Sequence, residues 1–249
     1  MKFQGKTALV TGASRNIGRA LALAFAAEGA NVVVHGYKDK AAAEETARMV
    51  EGKGVKALTV IGDVGDREEV GRFVGEAISV FGAVDILVSN VGYRPKEDTL
   101  TISAESWRRV LASNLDGPFF VAQAVLPGMI ERHWGRIVNI SGGGAFNGVV
   151  GEPHVAAAKA GLLGLTRTLA KEFAKDNILS NTVVPGTIQT EDSNYRTPGR
   201  DYPQIAVGQP LGRVTQPEEV ADLCLYLCDP AQQSINGQAF HINGGTLFS

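Results

Sequence analysis

Seven short β-rich runs alternate with longer helical patterns along the whole chain, over 7–11, 31–35, 56–61, 84–88, 136–140, 179–184 and 239–242. Most of these runs are continuously apolar, which suits strands covered on both faces, as in a parallel sheet held between helices. Helical periodicity occupies 17–28, 41–52, 66–81, 104–132, 154–175 and 217–228. This alternation predicts an α/β fold, a doubly wound, seven-stranded, mostly parallel sheet with helices on both faces. At 249 residues the chain suits a single domain spanning 1–249. A domain of that size buries about 70–75% of its unfolded surface and needs no disulfide or structural metal.

Charge and motif content narrow the function classes. Lys plus Arg is 24 against Asp plus Glu 26, a formal charge of −2, so the basic footprint of a nucleic-acid or anionic-membrane binder is missing. No apolar run reaches membrane-spanning length, and the first residues show no signal-peptide pattern, so a cytoplasmic location is expected. Cys224 and Cys228 stand four apart in an apolar helical stretch with no metal-ligand spacing around them, and are expected to be small core hydrophobes. Only 187–214 resists assignment; with three prolines, scattered charges and two tyrosines, it reads as a substrate-binding loop.

Immediately after the first strand comes Thr11-Gly12-Ala13-Ser14-Arg15-Asn16-Ile17-Gly18, which opens the first helix. Gly12 permits a tight turn, Gly18 lets helix and strand approach, and the free amides of the helix N-terminus suit a pyrophosphate. Asn16 stands where a middle glycine is usual, and asparagine tolerates the left-handed conformation better than most residues. This loop resembles the TGxxxGxG fingerprint of the short-chain dehydrogenase/reductases. The resemblance spans about residues 5–245 and is closest to the 3-oxoacyl-ACP reductase-like members. Further matches are Asp63-Val64, Ser89-Asn90-Val91-Gly92, Asn114, and Pro185-Gly186-Thr187-Ile188-Gln189-Thr190.

The resemblance implies a Rossmann fold and a nicotinamide dinucleotide cofactor. Gly12, Ser14, Arg15, Asn16, Ile17 and Gly18 would form the phosphate loop. Asp63 and Val64 would hold the adenine, with Asn90 and Gly92 along the adenosine side. Pro185 and Gly186 would lead into Ile188 and Thr190, which would hold the carboxamide. An NAD site calls for an acid near the end of the second strand, but Val34-His35-Gly36-Tyr37-Lys38 offers none near Gly36. Arg15 and Lys38 suit a 2′-phosphate instead, so NADP(H) is the expected cofactor.

Hydride delivery to a ketone creates an alkoxide, which must be protonated or hydrogen-bonded as it forms. In the family a tyrosine four residues before a lysine supplies the proton, a serine binds the carbonyl oxygen, and an asparagine holds a relay water. The lysine is Lys159, which also suits the nicotinamide ribose, and the asparagine is Asn114. The tyrosine position is Val155, and the five tyrosines (Tyr37, Tyr93, Tyr195, Tyr202, Tyr226) leave none between 93 and 195. The serine position is Gly142; Ser141 is one residue off and expected on the other face of the strand.

Two readings follow. One is an atypical oxidoreductase acting on a small carbonyl, enone or imine, its proton drawn from water, His154, Glu152, Tyr195 or Tyr202. The other is a catalytically silent NADP(H)-binding subunit in a hetero-oligomer. Arg94, Lys96, Arg196 and Arg200, on loops expected to rim the pocket, hint at an anionic substrate group. The resemblance also implies a homotetramer built on the fourth and fifth helices and the C-terminal strand.

Overall fold

A computed structural model describes residues 1–190 and 206–248. Its strands are β1 (Thr7–Val10), β2 (Asn31–Gly36), β3 (Ala57–Ile61), β4 (Ile86–Ser89), β5 (Gly135–Ile140), β6 (Ile178–Pro185) and β7 (Ala239–Ile242). They form one seven-stranded sheet in the order β3-β2-β1-β4-β5-β6-β7. Every neighbouring pair is parallel. The helices are α1 (Asn16–Ala27), α2 (Lys40–Glu51), α3 (Arg67–Phe81), α4 (Ala104–Leu111), α5 (Gly117–Glu131), α6 (Gly144–Asn147), α7 (Pro153–Glu172) and α8 (Pro217–Cys228).

The continuously apolar strands serve two cores at once. Ala8, Val10, Val32, Val34, Ile86 and Val88 join α1, α2 and α8 in one cluster, whereas the intervening Leu9, Val33 and Leu87 join α3 and α5 in the other. Alternate side chains leave a strand on opposite faces, so both faces need apolar residues. Cys224 and Cys228 lie fully buried in the first cluster, and burial pushes the Cys228 thiol up to about 12.

Two features depart from the helical pattern of the sequence. The stretch 104–132 is not one α-helix: a π turn, Ala112–Asp116, joins α4 to α5. Pro118 has no N–H for the Asn114 carbonyl four residues before it, so the regular ladder cannot run through. Here α5 also comes close to the end of β3, because a Cβ on Gly117 would stand 2.8 Å from Val64 Cγ2. The single turn of α6 lies in a glycine-rich run that carries no periodicity.

Strand order reverses between β1 and β4, where a crevice opens at the carboxyl ends of the strands. The β1 loop is stitched across it. Asn90 donates its N–H to Thr11 Oγ1 at 2.9 Å and its Nδ2 to the Thr11 and Gly12 carbonyls at 3.0 and 3.2 Å. From the other side, His35 Nδ1 accepts the Gly12 N–H at 3.2 Å while its Nε2 faces the Gly62 carbonyl at 3.0 Å. With Nδ1 accepting, the ring proton belongs on Nε2 and the ring is neutral. Full burial holds its pKa down at about 4, against an ordinary 6.5.

Two predictions follow from this crossing. A methyl on Gly18 would stand 2.1 Å from the Gly12 carbonyl oxygen and 2.8 Å from Ala13 Cα, both backbone atoms. Gly18→Ala should therefore destabilise the chain by more than about 2 kcal/mol in urea unfolding, and an unchanged midpoint would overturn the close-approach account. For His35, the unfolded chain takes up a proton below about pH 6.5 that the folded chain refuses until about 4. Its contribution is complete above pH 6.5 and is lost as pH falls towards 4, by roughly 3 kcal/mol in total. His35→Gln, which keeps a donor and an acceptor but cannot titrate, should show a flatter fall in urea midpoint from pH 7.5 to 4.5; equal slopes would refute this.

Candidate functional site

The residues singled out in the sequence converge on the carboxyl ends of β1 to β6. Gly12, at φ +64°, turns the chain out of β1, and Asn16, at φ +50°, takes the left-handed conformation that glycine would otherwise supply. Ser14 and Arg15 precede α1, and Ile17 and Gly18 lie in its first turn. The helix start has no side-chain cap, as is also true of α5 and α7. Asp39, Asp66 and Ser103 cap α2, α3 and α4 with side-chain hydrogen bonds, whereas the N-cap residue of α1, Arg15, gives none and no acid lies in the first turn. The amides there keep their positive pole for an anion, and Gly18 leaves no Cβ in the way. A dinucleotide pyrophosphate fits this cradle.

Beyond β2, the charges are arranged differently from a pair of waiting cations. Arg15 pairs with Asp39, which also accepts the Ala42 N–H as the cap of α2. Lys38 Nζ lies over the Tyr37 ring, 4.9 Å from its centroid. Asp63 is likewise occupied: Arg109 Nη1 reaches its Oδ2 at 2.6 Å, and its Oδ1 accepts the Gly65 N–H at 2.9 Å. Val64 is buried in the core beside Gly117, and the Asn90 side chain is committed to the β1 loop carbonyls. Gly92 is exposed, and a Cβ there would meet only Asn114 Oδ1, at 3.8 Å.

Further along the crevice, Lys159 of α7 is buried, and its Nζ donates to the carbonyls of Ile140 at 2.8 Å and Val91 at 3.4 Å. The ammonium is thus anchored between the ends of β5 and β4. Asn114, fully buried in the π turn, donates Nδ2 to the Tyr93 and Val110 carbonyls at 2.8 and 2.9 Å. Its Oδ1 is buried with no hydrogen-bond partner among the described residues. Val155, one helical turn before Lys159, lies on the same face of α7. A Cβ on Gly142 would meet nothing within 4 Å. The Ser141 hydroxyl donates to the Lys159 carbonyl at 3.0 Å and is committed to the helix backbone.

The alternative proton donors fare unequally. His154 is fully buried, its Nδ1 accepts the Val155 N–H at 3.0 Å, and its Nε2 lies 3.6 Å from Glu97 Oε1. Its ring stacks on Trp107 at 6.4 Å, which sets it about 100° around α7 from Val155. Glu152 pairs with Arg94 at 3.3 Å, so that arginine is neutralised as well. Tyr195, Tyr202, Arg196 and Arg200 lie outside the described residues.

The ends of the 187–214 segment are described, and they meet. Ile188 and Thr215 form a parallel bridge in which the Gln189 N–H donates to the Thr215 carbonyl and the Thr215 N–H to that of Thr187. Pro185 closes β6, and Gly186 touches Asn243, where a Cβ would come within 2.7 Å of the Asn243 Cβ. Ile188 is buried, and Thr190 is the last described residue before the gap. Three contributors escaped the sequence reading: His35, Asp39 and Arg109. Only His35 left a local signal, as a polar residue inside an apolar strand.

Residues 12–246 match the enoyl-(acyl carrier protein) reductase family. The chain is 41% identical over 249 residues to a 3-oxoacyl-(acyl-carrier-protein) reductase of Aquifex aeolicus, covering 98% of each. It is 38% identical to the Synechocystis protein of the same name, covering 97% of each. Among solved structures it superposes on a putative short-chain alcohol dehydrogenase from Sinorhizobium meliloti with a TM-score of 0.91 at 32% identity, over 97% of this chain and 96% of that one. An acetoin dehydrogenase from Salmonella typhimurium gives 0.89 at 31% identity, over 96% and 95%. With this fold, this crevice and these relatives, the chain belongs to the short-chain dehydrogenase/reductase family of oxidoreductases.

Proposed function

We propose that this chain is an NADP(H)-dependent oxidoreductase that acts on a small conjugated or cationic acceptor, an enone or imine, with no side-chain acid at the reacting atom. One observation carries the reading. Lys159 is anchored on the Val91 and Ile140 carbonyls and Asn114 on the Tyr93 carbonyl, yet the residues in the tyrosine and serine positions are Val155 and Gly142, and Ser141 is engaged elsewhere. The bound nicotinamide would supply or accept the hydride. What the chain adds is placement and charge. Lys159 holds a cation at the ends of β4 and β5, and Asn114 Oδ1 offers a buried acceptor suited to an ordered water.

A saturated ketone demands prompt protonation of an alkoxide, and losing a general acid or an oxyanion donor costs about 10²–10⁴ or 10²–10³ in rate. An acceptor whose product charge is dispersed, or an iminium that is neutralised on reduction, makes a smaller demand. Water relayed past Asn114 and Lys159 is then a sufficient proton source: Glu152 is paired with Arg94, and His154, whose Nε2 has no hydrogen-bond partner among the described residues, points about 100° around α7 from Val155. The valine and glycine leave an apolar, open wall for such a substrate. Arg15 and Lys38, just past β2, are the cations that suit a 2′-phosphate, which would compete with Asp39 for the Arg15 guanidinium. The position of β7 at the edge of the sheet among the described residues supports assembly of a homotetramer through that strand and through the helical stretches 104–132 (α4 and α5) and 154–175 (α7).

Two measurements test the reading. NADPH oxidation by the purified chain should run at least about tenfold faster with enones or imines than with the matching saturated ketones. Val155→Tyr combined with Gly142→Ser should raise ketone reduction by about 10²-fold or more. NADPH binding without turnover of any acceptor would leave a silent nucleotide-binding subunit and sink the catalytic proposal. Separately, Arg15→Ala should raise KM for NADPH about tenfold and leave that for NADH within about twofold. An equal effect on both would remove the 2′-phosphate role.

A further inference from the structure

Arg109 of α4 spans the crevice mouth in a way that the family fingerprint does not account for. Its Nη1 reaches Asp63 Oδ2, at the end of β3, at 2.6 Å. Its Cζ lies 5.5 Å from the centroid of the Tyr37 ring, just past β2, and 6.0 Å from that of Tyr93, just past β4. Because β2 and β4 flank β1, the guanidinium sits between two aromatic rings across the strand that leads into the glycine loop. All three planar groups are open to solvent: Arg109 is 39% exposed as a side chain, Tyr37 45% and Tyr93 41%. Contact with Asp63 holds one end of the guanidinium in place, and the hydrogen-bonded ion pair drives the Arg109 pKa further up, so its charge is permanent.

Large aromatic rings left half-exposed around a fixed guanidinium make a surface for a flat, π-bearing ligand. Stacking on an aromatic or guanidinium face is the common way a protein holds a base without reading its sequence. The same cluster presents a carboxylate, Asp63, able to accept from an exocyclic amine. Planar faces plus an amine acceptor match a purine carrying an amino group. We infer that Arg109 is a positioning residue for the adenine ring of the dinucleotide, stacking on it together with Tyr37 or Tyr93 while orienting Asp63 towards its amino group. The inference rests on the dinucleotide reading above and goes beyond it by assigning adenine recognition to a residue of α4.

The test separates the two halves of the cofactor. Affinity for adenosine 2′,5′-bisphosphate and for reduced nicotinamide mononucleotide is measured by calorimetry for the wild type, Arg109→Ala and Arg109→Lys. Both variants should bind the bisphosphate about tenfold or more weakly and the mononucleotide unchanged, because lysine keeps the charge and loses the planar face. Wild-type affinity in Arg109→Lys would reduce the role to a point charge and overturn the stacking assignment. Unchanged binding in Arg109→Ala would overturn it outright, and an equal loss for both fragments would mark Arg109 as merely structural. A wild-type chain that binds neither fragment nor NADPH would instead refute the dinucleotide site itself, and this inference with it.

Discussion

The close approach of α1 to the ends of β1 and β4 is the constraint on which the functional half of this molecule depends. At Gly18 the helix stands so near the Gly12 carbonyl that no side chain fits between them. That proximity points the uncapped amides of α1 into the crevice rather than into solvent. Holding the loop in place takes polar clamps from both sides: Asn90 from β4 grips the loop carbonyls, and His35 from β2 takes the Gly12 N–H while its Nε2 faces the Gly62 carbonyl. The site therefore inherits its rigidity from the sheet. A buried imidazole in this position works only while it is neutral, which couples the geometry of the loop to pH.

At the far end of the crevice the same logic produces an unusual result. Lys159 is fixed by main-chain carbonyls and Asn114 by a π turn, so neither needs the tyrosine or serine of the family pattern to hold its place. The scaffold around the two positions is held by these backbone contacts. Ser141 illustrates the point, because its hydroxyl stays within reach of α7 and is spent on the Lys159 carbonyl. On the proposed reading, a scaffold that keeps its cation and its buried acceptor without the family's tyrosine and serine would suit chemistry in which developing charge is small.

Most of the fold was legible because two-sided burial writes itself into sequence as continuous apolar strands. The predicted strand over 31–35 ends one residue later in the structure, and the predicted helix over 217–228 has the same limits. The loop residues 12–18 were legible for the same reason that they matter, since glycine and asparagine mark left-handed backbone. The π turn was not read, although Pro118 carried its cause. Partners brought together by the sheet were not legible at all. Arg15 with Asp39 and Arg109 with Asp63 join residues 24 and 46 positions apart, and nothing local announces either pair.

The bridge between Ile188 and Thr215 has a consequence for how this chain can diversify. Departure and return points of the 187–214 segment are pinned to each other, Gly186 packs against Asn243, and Arg213 ties the return to Glu219 of α8. Closing a loop of doubled length costs only about 0.6 kcal/mol. Chain length can therefore change between the two pinned points at little cost to the sheet that carries the crevice.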